Sequence, residues 1–174
     1  MAAILRVEHT SEPERILALT LNACEVAKSA VSYVADGLVN RRSASFAAAD
    51  ECEKQLDAID RQVDDGVPAA IIGATAEKAR ELLACLKCVT DLERIGDLVS
   101  GLGARAQAIG SRIEMEDVAD LVRMATALEH MLADLHSALS ARDVERAVNV
   151  MRADAEIDRL RNLLHIRHVE NREG

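Results

Sequence analysis

Aromatic side chains are almost missing from these 174 residues, which hold one Tyr (Tyr33), one Phe (Phe46) and no Trp. That scarcity argues against β-sandwich and barrel cores and against the stacking platforms that carry single-stranded nucleic acids. Proline occurs twice and glycine eight times, too seldom to punctuate many short strands with tight turns. The longest uncharged stretch in the middle of the chain, Val67–Ala76, falls far short of the roughly 20 residues that span a bilayer. Met1–Thr10 carries Arg6, Glu8 and His9 and has no long apolar run. No secretory leader is therefore expected, and the expected location is the cytoplasm, with membranes reached only through partners. Basic residues are outnumbered, 21 against 30 acidic ones, for a formal charge of −9. Such a chain repels phosphate backbones, so nucleic acid is not an expected partner.

What is abundant is Ala, Leu, Glu, Asp, Arg and Val, with 49% of residues apolar. This is the composition of an all-α protein, and the length suffices to bury roughly 70% of the unfolded surface. Helical periodicity marks five segments. Ser11-Glu12-Pro13-Glu14 opens the first with a Ser-x-x-Glu capping box, and Ile16, Leu17, Leu21, Cys24, Ala27, Val31, Val34 and Leu38 form its stripe. The second runs from about Ser45 and is expected to be broken by Gly66-Val67-Pro68 and Gly73. The third spans about Thr75 to Ile109, the fourth about Glu116 to Ala141, and the fifth Asp143 to the mid-160s. Cys24, Cys52, Cys85 and Cys88 are expected to be reduced, and Cys85-x-x-Cys88, inside a helical pattern with no second CxxC, reads as buried thiols.

The chain repeats itself at an offset of 101 residues. Ile157, Leu160 and Leu164 fall on Leu56, Ile59 and Val63, and Val118, Val122, Leu132, Leu135 and Leu139 fall on Leu17, Leu21, Val31, Val34 and Leu38. Polar residues follow the same register, with Asp154, Asp158 and Arg142 on Glu53, Asp57 and Arg41. The reading is one up-down-up three-helix unit over residues 1–110 and a two-helix portion of a second over 111–174. The third helix of that second copy would begin just beyond Gly174, and the expectation is that the chain is a fragment.

Two acidic pairs at i,i+4 spacing stand beside the apolar stripes: Glu53 with Asp57, and Glu93 with Asp97. On antiparallel neighbours they would present four carboxylates, a hard all-oxygen donor set suited to Mg²⁺, Ca²⁺, Mn²⁺ or iron. A solvated acidic face is the competing reading, given 30 acids in the chain. Gly96, between two of the acids, favours close approach of another helix. The five histidines form no site by spacing, and no Glu-x-x-His, phosphate loop or nucleophile elbow is present. Arg41, Arg42 and Arg142 gather at turns, where solvation is the simpler reading.

Asp91-Leu92-Glu93-Arg94-Ile95-Gly96-Asp97, behind an apolar stretch containing Lys87, resembles the signature of the PhoU family of phosphate-signalling regulators. The resemblance implies tandem three-helix bundles whose E(D)-x-x-x-D motifs bind metal, with iron, manganese, zinc or magnesium as candidates. Carried onto this sequence, it makes Glu53, Asp57, Glu93 and Asp97 ligands of one site and Asp154 and Asp158 half of a second. Arg94 is then a possible partner of a ligand carboxylate, and Gly96 the point of close helix packing. The final helix with its second Glu-x-x-x-Asp-like motif is absent, and Asp65–Gly73 lacks the Gln-Pro segment common in the family. The resemblance further implies a dimeric, non-enzymatic repressor of phosphate-starvation signalling. It would act between a phosphate ABC transporter ATPase and a sensor histidine kinase at the inner face of the membrane. A metal-dependent all-α phosphohydrolase and a purely structural helical module are the alternatives.

Overall fold

The computed structural model describes residues 11–173, with side chains as far as Arg167. Met1–Thr10, read above for the lack of a leader, and the side chain of His168 lie outside the described residues. Five long helices account for nearly all of the rest: α1 (Glu12–Asn40), α2 (Ser43–Ile71), α3 (Ala76–Ile109), α4 (Met115–Ala141) and α5 (Val144–Glu173). A single 3₁₀ turn, Gly110–Arg112, follows α3, and no strand occurs among the described residues. The protein is all-α.

Local chemistry sets the helix starts. The Ser11 backbone N–H and hydroxyl both donate to Glu14 Oε2, at 2.9 and 2.8 Å, and Pro13 sits in the first turn, where no N–H is required. Thr75 caps α3 by accepting from the Lys78 N–H at 3.2 Å. The expected break at Gly66-Val67-Pro68 does not occur, for α2 continues through Pro68 to Ile71. Pro68 falls in the last turn, where one missing N–H disturbs little of the helix. Gly66 has a packing role there: a Cβ on it would lie 2.7 Å from Glu12 Oε1 and 3.0 Å from Arg15 Nη2. At the other end of the chain α5 outruns its expected limit in the mid-160s and reaches Glu173.

Helices α1, α2 and α3 pack on one another, α4 lies along α1, and among the described residues α5 packs on α4 alone. Small residues make α1 the centre. Ala23, Ala27 and Ala30 are fully buried, as is Thr20, whose hydroxyl donates to the Ile16 carbonyl at 2.9 Å. Leu56, Val63, Leu82, Val89 and Leu92 close the core from α2 and α3, and Leu132 joins it from α4. A second cluster joins Val34, Leu38, Phe46 and Ala106 to Val118, so α4 starts beside the end of α1 and runs antiparallel to it.

The segments related by the 101-residue offset share details beyond their stripes. α1 and α4 both end in a left-handed residue with φ 52° and ψ 40°, Arg41 and Arg142, which are 101 positions apart. Phe46 fills the space above Gly37 and Gly103, and the offset counterparts of Phe46 and Gly37 are Ala147 and Ala138. A large-small pair in the first segment corresponds to a small-small pair in the second.

Candidate functional site

The antiparallel crossing of α2 and α3 has a constant register. Ser100 Oγ donates to Asp50 Oδ1 at 2.7 Å, and Thr90 Oγ1 donates to Asp60 Oδ1 at 3.1 Å. Between these bonds Gly96 faces Glu53, its constructed Cβ 3.8 Å from Glu53 Cα and 2.5 Å from Leu56 Cδ1. The pairings Asp50–Ser100, Glu53–Asp97, Asp57–Glu93 and Asp60–Thr90 have residue numbers with the same sum, as one antiparallel ladder requires. Glycine at 96 removes the side chain that would hold the ladder apart.

The electrostatics follow this register. Burial, then the carboxylates of Asp57 and Asp97, push the Glu53 carboxyl above its ordinary value. Burial, then Asp97, Asp60 and Asp57, do the same to Glu93. Both glutamates are half-buried, Asp57 is partly exposed and Asp97 is exposed. Counter-charge is thin: Arg61 pairs with Asp57, while Lys54 lies 3.3 Å from Glu51. Arg94, expected beside a ligand, lies 3.6 Å from Asp91 instead, with both side chains about 70% exposed.

The face therefore assembles donors of the right type on two facing helices. Among the described residues, however, no group of three or more His, Cys, Asp or Glu side chains is arranged so as to hold a metal ion. The carboxylates accumulate charge across the helix seam, offset in part by Arg61 on Asp57, without surrounding a common point. Asp154 and Asp158 are exposed on α5, Asp158 lies 3.1 Å from Arg161, and among the described residues α5 has no helix neighbour other than α4.

The cysteines lie elsewhere. All four are free thiols, three of them buried. Burial pushes Cys52 and Cys85 up, while Cys24 and Cys88 meet across the α1–α3 contact, where the hydrogen bond raises Cys24 and lowers Cys88. Sequence reasoning missed two long-range arginine clasps. Arg167, 23% exposed, pairs with Asp117, with Asp120 at 2.6 Å and with Glu116 at 3.2 Å. Arg142 Nε and Nη2 donate to Glu81 Oε1 at 3.1 and 2.7 Å, and Lys78 Nζ donates to Glu81 Oε2 at 2.8 Å. Separations of 50 and 61 residues leave no local signal for either clasp.

A family model described as the PhoU domain matches residues 20–105 and 121–173. The chain belongs to the PhoU family. The second matched segment starts 101 residues after the first, the offset of the internal repeat. Among curated PhoU relatives, one from Deinococcus radiodurans is 27% identical over 143 residues, covering 80% of this chain and 67% of the relative. One from Caulobacter vibrioides is 28% identical over 159 residues, covering 87% and 69%. A third, from Zymomonas mobilis, is 26% identical over 138 residues, covering 78% and 58%. Each of the three carries the name phosphate-specific transport system accessory protein PhoU homolog. No solved structure matches the chain significantly. No helix among the described residues is long and apolar enough to cross a membrane.

Proposed function

We propose that this PhoU-family chain is a non-enzymatic, metal-responsive regulator of phosphate uptake that represses phosphate-starvation signalling. Its relatives' names as accessory proteins of phosphate-specific transport support the regulatory role. In this reading residues 1–110 form one PhoU-type three-helix unit and 111–174 the two-helix part of another. The protein acts in the cytoplasm as a dimer, between a phosphate ABC transporter ATPase and a sensor histidine kinase at the membrane's inner face.

The observation that carries the metal-responsive part is the α2–α3 ladder, in which Glu53 faces Asp97 and Asp57 faces Glu93 with little counter-charge. A divalent or trivalent cation (magnesium, manganese, zinc or iron) would relieve that repulsion once the carboxylates turn inward, and would tie α2 to α3. Asp154 and Asp158 would supply half of a second such site. Binding to the folded chain alone stabilises it by linkage, about 2.7 kcal/mol at a hundredfold excess over Kd.

Calorimetry after dialysis against chelator tests the metal. Mn²⁺, Fe³⁺, Zn²⁺ or Mg²⁺ should raise the wild-type Tm and leave Glu53→Gln/Asp97→Asn unmoved. A wild-type Tm indifferent to all four removes metal from the reading. The regulatory part is tested in the native host, where deletion of the gene should derepress a phosphate-starvation reporter in phosphate-rich medium. Unchanged expression there overturns it.

A further inference from the structure

Two of the four thiols are neighbours in space. Cys24 on α1 and Cys88 on α3, far apart in the chain, hydrogen-bond to each other in the contact between those helices. One turn earlier on each helix, Thr20 hydrogen-bonds Cys85. Two successive rungs thus hold α1 and α3 in register. Cys24 and Cys85 belong to the buried core, and Cys88 packs against it from its edge. Cys24 is 1% exposed, whereas Cys88 is only half-buried and meets solvent. Cys52 lies apart on α2, buried and with no thiol acting on it.

The two sulfurs are not equivalent. Their hydrogen bond holds the Cys88 thiol below its ordinary value and Cys24 above, so Cys88 takes the thiolate and Cys24 supplies the S–H that donates to it. Cys88 is therefore both the better nucleophile and the sulfur that solvent reaches. Cys24, buried against it, is placed to attack Cys88 once that sulfur has been oxidised. Cys85 cannot take the place of Cys24. Residues at i and i+3 of one helix have Cβ atoms about 5–6 Å apart, whereas a disulfide spans about 3.5–4.5 Å. Nor, among the described residues, do the three thiols form a group that could hold a metal ion.

We infer that Cys24 and Cys88 form a reversible disulfide site, closed by hydrogen peroxide and opened by thiol reductants, which staples α1 to α3. The Cys88 thiolate attacks one peroxide oxygen: an S–O bond forms, the O–O bond breaks, and the departing hydroxide takes up a proton to become water. The Cys24 sulfur then attacks the Cys88 sulfur. The S–S bond forms, the S–O bond breaks, and the second hydroxide leaves as water with the Cys24 proton. Two thiols have lost two electrons and two hydrogens, and the peroxide has become two waters. Transient bonds of this kind are the ones that reducing compartments tolerate. The inference concerns helices of the first three-helix unit alone, and is independent of metal binding and of phosphate regulation.

The test treats the folded full chain with hydrogen peroxide, blocks remaining thiols with N-ethylmaleimide, and maps tryptic peptides by mass spectrometry. Trypsin cuts after Lys87, so Cys85 and Cys88 fall in separate peptides, 81–87 and 88–94, and Cys24 in a third, 16–28. Peptides 16–28 and 88–94 should appear joined, and should separate after dithiothreitol, while Cys52 and Cys85 carry the blocking group. Cys24→Ser should lose the joined species and leave Cys88 as a sulfenic acid that dimedone traps. Cys88→Ser should lose it and leave Cys24 a free thiol, and Cys85→Ala should keep it. The wild-type digest decides the linkage even where a variant, checked by circular dichroism, does not fold. Peroxide-treated wild type with 16–28 and 88–94 unjoined overturns the inference, as does a link from either peptide to Cys52 or Cys85. A joined species confined to a covalent dimer on a non-reducing gel also overturns it, because the bond then connects two copies.

Discussion

Leu56 occupies the place where a side chain at Gly96 would begin: its Cδ1 lies 2.5 Å from the Cβ position of residue 96, and Leu56 is fully buried. Gly101, on the same helix, has nothing within 4 Å of its Cβ position. The two glycines should therefore respond oppositely to alanine. Gly101→Ala should raise stability by about 0.5–1 kcal/mol, the helix-propensity gain. Gly96→Ala should lower it by about 1 kcal/mol, because overpacking at a buried contact outweighs that gain. Urea denaturation of the two variants checks the contrast.

The raised carboxyls of Glu53 and Glu93 set a pH dependence. A folded-state pKa above the unfolded value means that the folded chain binds more protons in the interval between the two. Stability from this face therefore rises as pH falls through the raised values toward the ordinary glutamate range, and is complete below it. Glu81 and Asp36, lowered by their hydrogen-bond partners, act in the opposite sense further down, losing their contribution as pH drops through their depressed values. In the absence of metal, Glu53→Gln/Glu93→Gln should be more stable than wild type at pH 7 by about 0.5 kcal/mol, the scale of a like-charge pair. The advantage should shrink as the pH approaches 4.5, which thermal melts across that range will show.

At the two left-handed caps the backbone favours glycine over arginine by up to about 1 kcal/mol. Arg41→Gly should gain most of that amount, since its side chain has no ionic partner among the described residues. Arg142→Gly gains the same backbone relief but loses the clasp on Glu81. Its net change should be smaller than that of Arg41→Gly by about 0.5–1 kcal/mol. Chemical denaturation of the pair measures the difference directly.

Arg167 holds the far end of α5 to the first turns of α4. Arg167→Ala leaves Glu116, Asp117 and Asp120 close together without that cation. A loss of about 1–2 kcal/mol is expected for this partly buried network. Amide hydrogen exchange should quicken along α5 beyond Leu160 while α2 and α3 keep their protection.

The fold was legible wherever the evidence is periodic or local. The stripes of Ile16–Leu38 and Val118–Leu139 and the Ser11–Glu14 cap place α1 and α4 within a residue or two. That Glu53–Asp57 and Glu93–Asp97 lie on facing sides of α2 and α3 was legible too, because i,i+4 spacing beside an apolar stripe fixes the direction of a side chain. The expected convergence of the four carboxylates, however, is not met among the described residues. Pro68 misled because a proline rule for helix interiors was applied to a final turn, and Gly66 because it spares room for Glu12 and Arg15. The clasps of Arg142 and Arg167 were hidden for a different reason. A long arginine reaches partners that only the assembled bundle brings near.

The ladder across α2 and α3 is counted in turns of helix rather than in loop residues. One residue inserted between Asp57 and Ile71, or between Thr75 and Glu93, would rotate one acid pair by about 100° away from the other. The connection at residues 72–75 lies outside both rods and can lengthen without turning either. Among related chains, phasing within the rods should therefore be kept while the link between them drifts in size.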